Sequence, residues 1–148
     1  MQILCRVAWD YAAHELAPET LPMVAAEALV RGVGSPALRE LAGCSDDVRE
    51  IRDLYLAAMA ELGVEIPTEE AAYWEKVRAW AGLMVDRTVA PHEGAARITA
   101  YFDVVGCPPE AGDLYYLVDL WSDRPADRRR LERDMIGIAR GLIRGRRG

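Results

Sequence analysis

Apolar side chains recur at three- and four-residue intervals along nearly the whole chain, not in the every-other-residue alternation of strands, which predicts helices between short stops. A first helix is expected over about 2–16, where Leu4, Val7, Ala8, Tyr11 and Ala12 share a face and Pro18 blocks continuation. The next is expected over 19–31; a first turn needs no internal amide donor, so Pro22 is tolerated, and Gly32 is the stop. Ser35-Pro36 opens a two-turn helix, with the serine placed to cap free amides, the proline preset at the first helical position, and Gly43 suited to a left-handed close.

Ser45-Asp46-Asp47 marks a stronger start, since a hydroxyl can cap there and carboxylates complement the positive end of the helix dipole. Val48, Ile51, Leu54, Tyr55, Ala58, Met59 and Leu62 then form one stripe that Gly63 ends. Pro67-Thr68-Glu69-Glu70 opens a long helix to about 89, with Tyr73, Val77, Trp80 and Met84 on its stripe. Pro91 starts another to about 105, and Gly106-Cys107-Pro108-Pro109 is a rigid break lacking two amide donors. Helices over 110–121 and from Pro125 onward complete the chain, which predicts an all-α fold of seven or eight helices in one compact domain spanning 1–148.

Composition agrees with that size: 148 residues, 51% hydrophobic, can bury roughly 70% of the surface of the unfolded chain. No apolar run approaches the roughly 20 residues that span a bilayer, and the start meets Arg6 too early for a signal peptide, so a cytoplasmic protein is expected. Cys5, Cys44 and Cys107 are odd in number and widely spaced, which fits reduced thiols better than a disulfide framework. Basic charge comes from 17 arginines and Lys76. Abundant alanine and glycine beside them fit a coding sequence of biased nucleotide composition, so arginine number alone carries no functional information.

Charge distribution changes the picture more. Residues 124–148 hold nine arginines against Asp127, Glu132 and Asp134, a net of +6, whereas residues 1–123 hold nine basic and 21 acidic side chains, a net of −12. On a helical projection of this tail, Leu131, Met135, Ile138 and Leu142 form an apolar arc widened by Ile136, Ala139 and Ile143. Arg129, Arg130, Arg133, Arg140 and Arg144 lie opposite. Such a helix can lie on an anionic membrane, touch nucleic-acid phosphates, meet a protein partner, or dock on its own domain. Gly137, Gly141 and Gly145 favour docking, because each costs roughly 1 kcal/mol against alanine unless close helix approach compensates. Arg146 and Arg147 are expected to fray beyond it.

The chemical motifs tested do not assemble. Gly32-Val33-Gly34-Ser35-Pro36-Ala37 has the letters of a dinucleotide-binding turn but follows a helix, not a strand. His92-Glu93 lacks the second histidine of a zinc protease because position 96 is alanine, and neither Cys-x-x-Cys nor Glu-x-x-His occurs. No metal, cofactor or catalytic residue is therefore assigned. His14, four residues after Asp10, is the sole carboxylate–imidazole pair within helical reach, and Cys107 is the thiol expected to be exposed. The aromatics mostly read as core, although Tyr73-Trp74 and Tyr115-Tyr116 cannot both turn inward on one narrow stripe, so one of each pair is a candidate for surface contact.

Residues 28–32 (Ala-Leu-Val-Arg-Gly), 35–43 (Ser-Pro-Ala-Leu-Arg-Glu-Leu-Ala-Gly), 91–98 (Pro-His-Glu-Gly-Ala-Ala-Arg-Ile) and the helix over 131–143 resemble a group of small all-helical proteins of high-GC actinobacteria. The resemblance implies the fold and supplies no site. The expected function is a non-enzymatic interaction or regulatory protein, immunity-like, that presents an acidic helical surface to a basic protein partner, with no role for nucleic acid or membrane. Asp46, Asp47, Glu50, Asp53, Glu69 and Glu70, with Arg129, Arg130 and Arg133, are its candidate contacts. The alternative is a helical small-molecule sensor with an aromatic pocket at Trp74, Trp80 and Tyr101.

Overall fold

The structure, a computed structural model, describes residues 1–44 and 46–145. Among these it is all-helical, with eight α-helices, three short 3-10 turns and no strand. No described helix is long and apolar enough to cross a membrane. Packing groups the helices into two compact units, Met1–Ala72 and Tyr73 onward, each closing its own core. The physical reason is local: short connections fold consecutive helices onto one another, so each half consumes its own apolar stripes.

The N-terminal unit contains α1 (Gln2–Ala12), α2 (Leu21–Val30), α3 (Pro36–Ala42) and α4 (Val48–Leu62). The first helix stops short of the expected end near 16 because His14 takes a left-handed φ of 58°, and Pro18–Thr20 forms a 3-10 turn before α2. Helix α3 has two caps: Ser35 Oγ accepts the Leu38 N–H at 3.1 Å, and Glu61 Oε1 from α4 accepts the Ala37 N–H at 2.9 Å. Gly43 is not left-handed as expected; its φ is −93°, and its N–H bonds Glu40 O to close the turn in right-handed geometry. Ser45, the expected cap of α4, lies outside the described residues. Asp47 caps that helix, accepting from the Arg49 and Glu50 N–H groups, and Gly63 ends it left-handed at φ 69°. Leu4, Leu21, Leu38, Leu41, Ile51, Tyr55 and Met59 fill the core, while Ala8, Ala25, Ala28 and Ala58 fill the narrower gaps between helices.

Helix α5 (Glu69–Val85) begins in the first unit and continues in the second, where α6 (Pro91–Val105), α7 (Asp113–Asp123) and α8 (Arg128–Arg144) follow. Thr68 Oγ1 caps the start of α5 through the Ala71 N–H at 3.1 Å. Its end falls before the expected 89 because Arg87 is left-handed at φ 60°. The prolines at 109 and 125 open 3-10 turns, so α7 and α8 start about three residues later than their proline signals predict. Gly94 is where α6 comes closest to α5: a Cβ there would meet Met84 Cγ, with Met84 Sδ at 2.8 Å. Val77, Met84, Ile98, Tyr101, Phe102, Leu114, Leu131 and Met135 form the core of this unit.

Candidate functional site

The arginine-rich helix uses its apolar side within its own unit. Leu131, Met135, Ile136, Ala139 and Leu142 of α8 are buried against α6 and α7, while Ile138 is half-buried and Ile143 exposed. Arg129, Arg130, Arg133, Arg140 and Arg144 all face solvent; Arg130 pairs with Asp127 at 3.6 Å, one turn back on the same segment. The glycine expectation fails. Among the described residues nothing comes within 4 Å of the Cβ positions of Gly137 and Gly141, and Gly145 meets only its own helix at Gly141 O.

Those two glycines line an open groove of about 620 Å³ in the C-terminal unit, with Leu117 and Ile138 as apolar lining. Glu110, Asp113, Asp134 and Arg133 also line it, three carboxylates against one guanidinium. Tyr116 contributes too and stands 62% exposed. Its neighbour Tyr115 points inward, donating to Asp103 Oδ1 at 2.8 Å with Thr99 O at 3.2 Å. Burial first, then that bond to Asp103, pushes the Tyr115 hydroxyl up to about 12. The expected division of labour in this aromatic pair therefore holds. In the other pair, both rings pack: Tyr73 on Tyr101 at 5.6 Å and Trp74 on Phe102 at 5.9 Å.

Trp74, Trp80 and Tyr101 do not line this groove. Tyr101 is buried, and Trp80 is covered by the Arg97 guanidinium at 5.1 Å. Deeper aromatic structure lies at Trp121, which is stacked by His92 at 3.6 Å and overlain by the Arg128 guanidinium at 3.8 Å. Both groups sit at stacking distance from the ring, and one face has no room for the two, so the indole is held between them. Arg128 Nε also donates to Trp121 O at 3.0 Å, which ties the starts of α6 and α8 to the end of α7. This clamp was not legible in the sequence, because its members are separated by 29 and 7 positions and none belongs to a motif.

In the N-terminal unit, the six acidic candidates are all exposed but do not form one continuous face. Asp47 is engaged as a helix cap, and Arg49 and Arg52 interrupt Glu50 and Asp53 along α4. Glu69 meets His14 instead: Oε2 and Nε2 are 2.8 Å apart, with 53% and 68% of the two side chains exposed. Helix α1 ends at Ala12, two residues before His14. Around this pair lies a cleft of about 470 Å³, lined also by Tyr11, Leu16, Pro18, Arg52, Ile66 and Pro67. A left-handed non-glycine residue costs about 1–3 kcal/mol, whereas an exposed ion pair returns about 0–1 kcal/mol. The contact alone does not account for the backbone of His14.

A third cleft, of about 580 Å³, runs past Met1, Cys5, Trp9, Gly63 and Thr68. Cys107 is exposed as expected, and partial burial followed by the Glu110 charge pushes its thiol up, away from reactivity. Among the described residues, no group of three metal-ligating side chains converges. Comparison of the chain with known protein families, curated proteins and solved structures yields no match.

Proposed function

We propose that this chain is a non-enzymatic cytosolic interaction protein whose binding surface is the α7–α8 groove, and that the occupant is a basic helical segment of another protein. The observation that carries the reading is Tyr116, 62% exposed in a groove whose glycines have no neighbour of their own. Exposed tyrosine is a characteristic anchor of protein interfaces, since it supplies contact area with little loss of side-chain entropy. Gly137 and Gly141 each cost α8 roughly 1 kcal/mol, and close approach of a partner helix is the compensation the groove offers. Charge selects the partner. Glu110, Asp113 and Asp134 outnumber Arg133, so a basic segment is attracted and an acidic one repelled.

This reading moves the contact away from the α4 carboxylates, which the interleaved arginines dilute, while retaining a basic partner. The test is capture by the whole protein, as wild type and as the groove variants Tyr116→Ala and Gly137→Leu, at about 50 and 150 mM salt. A basic partner held by the wild type, more firmly at the lower salt, and lost by both variants is the expected result. Equal capture by wild type and variants, or no capture at either salt, overturns it. Self-association abolished by the same variants would instead identify a second copy as the occupant and exclude the foreign partner.

A further inference from the structure

We propose that the His14 cleft of the N-terminal unit is a binding site for a small organic acid, a carboxylate carried on an apolar body. The groups on its walls divide in that way. Arg52 projects from α4 with no hydrogen-bond or ion-pair partner among the described residues, and it supplies a planar fork that matches a carboxylate. Leu16, Ile66, Pro18 and Pro67 supply an apolar lining, two of them with backbones already fixed by their rings. Tyr11 adds an aromatic surface, steadied by packing on buried Tyr55 with ring centroids 4.7 Å apart. A volume of about 470 Å³ suits a molecule of metabolite size.

The His14–Glu69 contact sets the charge of the ligand. Glu69 occupies the imidazole and keeps a carboxylate in the cleft, so Arg52 is the one cation left to recruit an anion. A single carboxylate is matched there, whereas phosphate has no apolar body to cover the Leu16, Ile66, Pro18 and Pro67 lining. The left-handed turn at His14 aims the imidazole back at Glu69 on α5, which closes one side of the cleft and explains a backbone conformation that stability does not reward. The site lies wholly within the first unit and is independent of the α7–α8 groove.

Phenylacetate, with inorganic phosphate as the comparison anion, tests the proposal by calorimetric titration and amide NMR on the full chain. Saturable binding of phenylacetate is expected, with shifts at residues 11–18 and 66–69, and phosphate should bind at least about tenfold more weakly. Arg52→Gln should weaken phenylacetate about tenfold, as loss of a charge-assisted bond does, and Arg52→Lys, which keeps the charge without the fork, should lose less. His14→Asn, tolerant of the same backbone, checks that the cleft and not the fold is read. No saturation by phenylacetate, equal affinity for phosphate, or unchanged affinity in both Arg52 variants would overturn the assignment.

Discussion

The two units close their cores with different materials. Buried alanines serve both, five in the first and four in the second, but the first has only Tyr55 and half-buried Tyr11 as aromatics, whereas the second has buried Tyr101 and Phe102 with Tyr73, Trp74, Trp80, Tyr115 and Trp121 packed against them. Their polar handles differ accordingly. The Tyr55 hydroxyl is buried with no partner, and burial, followed by Tyr11 and Cys5, raises its pKa, whereas the Tyr115 hydroxyl is satisfied by Asp103. Each unit nonetheless keeps one buried polar atom without a partner among the described residues, the Tyr55 hydroxyl in the first and His92 Nδ1 in the second, and one left-handed non-glycine residue, His14 and Arg87.

The largest expected effect probes the closest backbone approach in the second unit, at Gly94. Gly94→Ala would drive a Cβ into Met84, whose side chain is fully buried, and should destabilise by about 1–3 kcal/mol. Urea denaturation measures the loss, and hydrogen exchange should localise it to helices after Tyr73. Protection lost equally in α1–α4 would contradict the separation of the two cores.

Next in size is a pair of substitutions with opposite signs. Tyr115→Phe removes the bond to Asp103 and should cost about 1 kcal/mol. Tyr55→Phe removes a buried, unpartnered hydroxyl and should be neutral or stabilising by up to about 1 kcal/mol. Denaturant midpoints at neutral pH decide it. A loss in Tyr55→Phe as large as that in Tyr115→Phe would mean the first core satisfies its tyrosine after all.

The same contrast shows why the fold was more legible than the site. Helices were readable because Ser35, Pro36, Gly63, Pro91 and Gly106 act within one turn of themselves, and a stripe such as Ile51–Tyr55–Ala58 needs no knowledge of its partner. The ends of α1 and α5 were missed where a non-glycine residue took the left-handed conformation, at His14 and Arg87, and the starts of α7 and α8 where Pro109 and Pro125 open 3-10 turns. Site geometry depended on meetings across long separations: His14 with Glu69, or Glu110 with Gly141. The exposed member of Tyr115-Tyr116 was foreseeable as a choice between two, but not which; the open glycine face was misread because spacing reports that a helix can approach, not that one does.

A smaller effect is expected on raising the pH. Tyr115 titrates in the folded protein near 12, above the usual value of about 10, so its stabilising contribution is complete below about pH 10 and is lost as pH rises toward 12. Tyr55 shifts in the same direction. Unfolding free energy should therefore fall with alkalinity in the wild type. Tyr115→Phe should remove part of that slope in the second unit and Tyr55→Phe part in the first; an alkaline slope unchanged in both variants would mean neither tyrosine holds its proton more tightly when folded.

The smallest effect compares the two left-handed residues, one in each unit. Arg87→Gly relieves strain at a position where the side chain is exposed, and should stabilise by about 0.5–1 kcal/mol. His14→Gly relieves the same strain but also removes the contact with Glu69, so the two effects should nearly cancel. Thermal denaturation of both variants against wild type measures the difference. If His14→Gly stabilises as much as Arg87→Gly, the Glu69 contact contributes nothing to folding, and the strain at His14 is held only by the chain around it. If it clearly destabilises, the pair is worth more than an exposed ion pair should be, and the cleft it closes is part of the folded framework of the first unit.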